Sequence, residues 1–238
     1  MYFDPVYWLV IGLGMALSLW AQFKVKSTFG KYSQYATASG LTGADVARRI
    51  LADNGIRDVR VEPVAGELSD HYDPRTRTLR LSEPIYGSRS MAAVGVAAHE
   101  VGHAIQHAQN YAPLGFRSAW VPVANFGGGL SMLVLMGALM MGGATTALGG
   151  KLGLLGVLLF ATTTVFTLVT LPVEFDASRR ALVTLERGGY VSAQELTGAK
   201  KVLDAAAMTY VAAFVTSLLT LLYWAWRLGL IGGGRDDR

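Results

Sequence analysis

Four uncharged stretches dominate the pattern of apolar and polar positions: Pro5 to Phe23, Ala119 to Met141, Leu152 to Val173 and Ala205 to Trp226. Each approaches or exceeds the roughly 20 residues that a helix needs to cross a bilayer, so about four transmembrane helices are expected. The first has Asp4 before it and Lys24, Lys26 and Lys31 after it, the reverse of a cleaved signal peptide. It reads as a retained anchor, and the lysines place the following residues in the cytoplasm. In the second stretch, Pro122, Asn125 and Gly127-Gly128-Gly129 predict irregular backbone, which lipid tolerates only where protein or a wet cavity covers it. Gly142 to Gly150 reads as the turn of a transmembrane hairpin, with Gly149-x-x-x-Gly153 allowing close helix approach. Trp224, Trp226 and Arg227 mark an interface at the end of the last stretch, and the tail Arg235-Asp236-Asp237-Arg238 has no net charge.

The polar segments between these spans change period. Thr42 to Asp53 has helical spacing, with Val46, Ile50 and Leu51 on one side and Asn54-Gly55 as a stop. Val59-Arg60-Val61 alternates, Leu68 to Tyr72 is short and extended, and Thr76 to Ser82 alternates after an Asp73-Pro74-Arg75 turn, predicting a small antiparallel sheet. A longer helix is expected from about Ser90 to Asn110. Glu174 to Arg187 is helix-compatible up to Gly188-Gly189, and Ser192-x-x-Glu195 is a capping box that opens a helix running into the last span. The expected organisation is an anchor over 1–23, a soluble catalytic region over 24–118, a transmembrane hairpin over 119–173, a connecting helical segment over 174–204 and a final helix with its tail over 205–238. The fold class is a mainly α membrane protein with a zincin-like α+β cytoplasmic part.

Composition sharpens this picture. Of 238 residues, 52% are hydrophobic and only 16% charged, too apolar for an ordinary soluble domain. Cysteine is absent, so any metal must be held by His, Asp or Glu. The net charge of +4 is not organised with aromatic platforms, so a nucleic-acid partner is not expected. The lipid bilayer is the expected partner.

The chemistry concentrates in His99-Glu100-Val101-Gly102-His103. On a helix, His99 and His103 lie one turn apart on one face and can converge on one Zn²⁺, while Glu100 is placed as a general base toward water on that ion. The bland alternative, two structural histidines, leaves Glu100 without a purpose in an Ala-rich helix. A catalytic zinc needs a third protein ligand. His107 lies about 12 Å along the axis from His99, too far for one ion to bond both. His71, at a strand end, and Asp176 are weaker candidates. Glu174 is preferred, because two crossings return the chain to the side of the H-E-x-x-H helix and a carboxylate near an apolar boundary needs a partner. His71 or Tyr72 is expected to stabilise an oxyanion, and the strand before His71 to pair with an extended peptide substrate.

The sequence resembles the bacterial membrane zinc metallopeptidases of the YugP type. The resemblance rests on His71-Tyr72-Asp73-Pro74, Leu79 to Pro84, Ala97 to Ala104, Val121 to Asn125 and Glu174-Phe175-Asp176-Ala177-Ser178. It implies a neutral zinc peptidase of the bacterial cytoplasmic (inner) membrane and says little about substrate. A peptide or membrane-protein substrate and a regulatory membrane-protein partner are the expected partners. More distantly the sequence is similar to peptidases of the HtpX and CAAX-processing type. In those an Asp follows the third ligand by four residues, where this chain has Ser178. Two other functions are weighed against a surface-acting endopeptidase. One is an intramembrane-cleaving protease, although the Asp-Gly element common in such enzymes is absent from this chain. The other is a non-enzymatic adaptor with a structural zinc, which would require a fourth protein ligand such as His71.

Overall fold

The structure is a computed structural model that describes residues 4–231, so the charged tail lies outside the described residues. In chain order the elements are α1 (Pro5–Tyr32), α2 (Gly43–Asp53), β1 (Arg60–Val64), β2 (His71–Asp73), β3 (Thr78–Ser82), α3 (Glu83–Tyr86), α4 (Met91–Ala108), α5 (Ala112–Met140), a 3-10 turn (Gly143–Thr145), α6 (Ala147–Arg187) and α7 (Ala193–Arg227). Four of them, α1, α5, α6 and α7, are long and apolar enough to cross a membrane. The described residues divide into two compact units, one formed by 4–20, 116–170 and 210–231, the other by 21–115 and 171–209.

The first unit contains the most apolar helix segments. The backbone expected to be irregular near Pro122 is instead continuous helix through α5. Proline removes one amide donor, but without water to compete for the freed carbonyl, neighbouring turns hold the helix together. The adjacent glycines serve contact rather than irregularity. A Cβ on Gly127 would lie 2.7 Å from the Leu159 carbonyl oxygen, and Trp120 Nε1 donates to the Thr162 carbonyl at 2.9 Å. Gly149 likewise faces backbone, that of Gly143, whereas Gly153 meets the Leu228 side chain. Near Leu228, Asp4 accepts from the Val6 amide at 3.0 Å and from the Tyr223 hydroxyl at 2.8 Å, and lies 3.3 Å from Arg227 Nε. One carboxylate thus caps α1 and joins it to the end of α7.

The second unit is built around α4. Ser90 caps it by accepting from the Ala93 amide at 3.2 Å. Val94, Ala97, Ala98 and Val101 are fully buried, with Ile50 of α2 and Leu79 and Leu81 of β3 in the same core. Small alanines let α2 and α4 approach closely, and the larger apolar side chains fill the space between them. A capping box starts α2: Thr42 Oγ1 accepts from the Asp45 amide and Asp45 Oδ2 accepts from the Thr42 amide, each at 3.1 Å. The expected box at Ser192 is also present, with Glu195 accepting from the Ser192 amide at 2.7 Å and also from the Ala38 amide at 2.6 Å.

The sheet has the order β1-β3-β2. The expected antiparallel pairing occurs between β2 and β3, with His71 opposite Arg80 and Tyr72 opposite Leu79. β1 joins the other side of β3 in parallel, with Val61 opposite Leu79. Residues 68–70, expected to be extended ahead of His71, lie outside the strand. The Asp70 carboxylate there is turned back to accept from the Ser82 amide at 2.7 Å. The strand is therefore short and forms one edge of the sheet.

Helix α6 also exceeds its expected length. It begins at Ala147 and passes Pro172 without a break, so Leu171 onward continues the same helix. Helical phase then puts Glu174, Ala177 and Ser178 on one face.

Candidate metal centre

Two helices of the second unit, α4 and the 171–187 portion of α6, meet where Gly102 faces Ala177. A Cβ built on Gly102 would stand 2.5 Å from the Ala177 carbonyl oxygen and 3.1 Å from its Cα. Only a residue without a side chain permits that approach. Gly102 is one of the variable positions inside the H-E-x-x-H pentapeptide, so the motif that carries the two histidines also carries the contact that brings their partner within reach.

His99 and His103 lie on one face of α4, their ring centroids 4.8 Å apart. Glu174 Oε2 stands 3.2 Å from His99 Nε2 and 3.6 Å from His103 Nε2. One donor atom from each of the three residues falls within 4.8 Å of the others, and no other such His, Asp or Glu group occurs among the described residues. Two ligands of a tetrahedral ion with ~2.1 Å bonds would be about 3.4 Å apart, which the two observed separations bracket. The donor set, two imidazoles and a carboxylate, also suits zinc.

The outer ring nitrogens are occupied. His99 Nδ1 lies 3.1 Å from Ser178 Oγ, and His103 Nδ1 lies 3.0 Å from Gln106 Oε1. Both Nε2 atoms are thereby directed toward Glu174, because a hydrogen bond at the outer nitrogen fixes the orientation of a metal-binding imidazole. Burial opposes a positive charge on His103, but hydrogen bonding to Glu174 and the charges of Glu174 and Glu100 outweigh it and raise its pKa. Glu100 is itself buried, with 8% of its surface exposed.

The structure separates the other sequence candidates from this group. His71 is exposed, with Nδ1 2.7 Å from the Ser69 carbonyl oxygen and Nε2 3.5 Å from Arg80 Nη1. Tyr72 Oη lies 2.8 Å from His107 Nδ1, joining β2 to the end of α4. Burial pushes the Tyr72 hydroxyl up to about 12. The pair borders a cavity of about 340 Å³ that is also lined by Asp58 and Arg77. Asp176 is buried on the same helix as Glu174 but engages Gln106, Arg179 and Arg180. Gln106 was not singled out by sequence reasoning. Its signal was a polar residue in an Ala-rich buried helix, three positions after His103 and therefore on its face.

Helices of membrane-crossing length, combined with a His/His/Glu group that joins an H-E-x-x-H helix to a carboxylate on a later helix, have the build of a membrane metallopeptidase. Residues 7–229 match the family described as "Putative neutral zinc metallopeptidase", and the chain belongs to that family. It is similar to the Bacillus subtilis (strain 168) protein named "Putative membrane protease YugP", with 48% identity over 223 residues, covering 94% of this chain and 95% of that protein. No solved structure matches the chain.

Proposed function

We propose that the protein is a membrane-anchored zinc endopeptidase whose active site faces the cytoplasm. The observation that carries this reading is the convergence of His99 Nε2, His103 Nε2 and Glu174 within one ligand-sized volume. His99, His103 and Glu174 would hold the ion. When bound, zinc supplies Lewis acidity that brings water toward a neutral pKa and polarises a peptide carbonyl. Glu100 accepts the proton of the attacking water and returns it to the departing amine. Three protein donors suit a catalytic centre with one open position better than a structural centre closed by four. The exposed edge of β2 offers backbone groups to an extended peptide. Where the Tyr72 hydroxyl donates to His107 Nδ1, it would have to release that nitrogen before donating to an oxyanion. Cytoplasmic orientation is supported by Lys24, Lys26 and Lys31 following the first apolar stretch.

The test is Glu100→Gln in the purified full-length protein. The variant should retain zinc and lose cleavage of an unstructured peptide by roughly 100-fold or more. A variant that cuts as fast as the parent removes Glu100 from the chemistry.

A further inference from the structure

The contact that ties off the outer nitrogen of His103 continues beyond it. Gln106 has no exposed surface. Its amide fits in one orientation, because Nε2 lies 2.8 Å from the Val173 carbonyl oxygen and 2.9 Å from Asp176 Oδ2, both acceptors. Oε1 therefore faces His103 at 3.0 Å, and His103 must donate from Nδ1. Its Nε2 is left with a lone pair on the side of Glu174. Behind Gln106, the Asp176 carboxylate is held by the guanidinium groups of Arg179 and Arg180, and Arg180 also donates to Gln109 Oε1. His99 is held differently. The Ser178 hydroxyl can rotate to donate or accept, so it serves either tautomer of the ring.

We propose that Gln106 is a positioning residue that, with Asp176 behind it, fixes the tautomer and ring orientation of His103 so that Nε2 is ready for a divalent metal ion. This inference rests on the metallopeptidase reading and assigns a task to residues outside the ligand set. Gln106 turns a rigid anionic anchor on α6 into an acceptor of defined direction on α4. The ligand pair on one helix is thereby locked to the helix that supplies the third ligand.

The experiment uses the full chain in detergent, with zinc affinity measured by competition against a chromophoric chelator and thermal unfolding measured on the metal-free protein. Gln106→Met keeps the length of the side chain and removes both polar atoms. It should weaken zinc binding by about 10–100-fold, the usual cost of losing an outer partner, without lowering the unfolding temperature of the metal-free protein to match. Asp176→Asn keeps an oxygen acceptor and removes the charge, and should cost less than about tenfold. The combined variant should bind no more weakly than Gln106→Met alone, since Asp176 acts through Gln106. Affinity of Gln106→Met within about twofold of the parent, or losses that simply add, would overturn the relay. Should Gln106→Met fail to fold, Asp176→Asn decides: weakened binding supports the relay and unchanged binding overturns it. A parent that binds no zinc overturns the metallopeptidase reading and the relay with it. A parent that binds zinc beside a Gln106→Met variant that binds it equally overturns the relay alone.

Discussion

Gly102 and Ala177 touch so closely that a single added carbon on Gly102 would lie 2.5 Å from the Ala177 carbonyl oxygen. In an ordinary helix, Gly→Ala gains about 1 kcal/mol of helix propensity. Here the added carbon strikes backbone, which cannot rotate away, and overpacking of this kind costs about 1–3 kcal/mol. Gly102→Val adds two further carbons and should separate α4 from α6. The expected result is a lower unfolding temperature together with weaker zinc binding, measured by thermal unfolding and chelator competition. A variant that keeps parental zinc affinity would show that the close approach does not set the ligand geometry.

Glu174 differs from the two histidines in bringing negative charge to the group. Glu174→Gln preserves shape and leaves the two imidazoles facing an amide. Its zinc affinity should fall by more than the roughly 10–100-fold expected for an outer-partner variant. The ranking of Glu174→Gln against Gln106→Met in one titration checks this, and equal losses would contradict a ligand role for Glu174.

Tyr72 and His107 are joined at 2.8 Å, linking the edge of the sheet to the last turn of α4. Tyr72→Phe should lower stability by about 1 kcal/mol, the usual worth of one hydrogen bond. If the tyrosine serves as this tether, kcat on a model peptide should stay within about threefold of the parent. A loss of about 100-fold in kcat, the size expected when an oxyanion donor is removed, would instead assign Tyr72 to the chemistry.

The Thr42 cap predicts an acid sensitivity of the second unit. The Thr42 hydroxyl bond to Asp45, followed by the Thr42 amide bond, holds the Asp45 carboxyl below its ordinary value. A carboxylate with a depressed folded-state pKa stabilises the fold above its unfolded value, near pH 4, and loses that contribution as pH falls through the folded value. Thr42→Ala should therefore destabilise by about 1 kcal/mol at neutral pH. The difference between parent and variant should shrink as pH falls below the unfolded value and through the folded one, as read from thermal unfolding across an acid series. A constant difference across that range would mean that the Asp45 charge is not involved.

Much of the site was legible in the chain itself. His99, Glu100 and His103 form a pattern whose meaning depends only on helical periodicity, and α4 has that periodicity. Glu174 could be nominated because an even number of apolar stretches separates it from the motif. Harder to read were elements governed by competition among weak local signals. Pro122 and Pro172 suggest breaks in water, yet both sit inside unbroken helices, where apolar surroundings favour keeping every remaining backbone hydrogen bond. The parallel pairing of β1 with β3 was equally hidden, since strand alternation fixes which face a side chain takes and says nothing about which neighbour the strand chooses.

The sequence by itself determined the elements and the chemistry they carry: four long apolar helices, a helix bearing two imidazoles and an acid, and a carboxylate on a later helix. Tertiary structure alone decided which atoms met. Glu174 reaches His99 across 75 residues of chain, and Gln106 reaches Val173 and Asp176 across 67 and 70. Periodicity is a local property of backbone geometry. Contacts at that separation depend on how closely two surfaces can approach, and here that is set by the missing side chain of Gly102 against the backbone of Ala177.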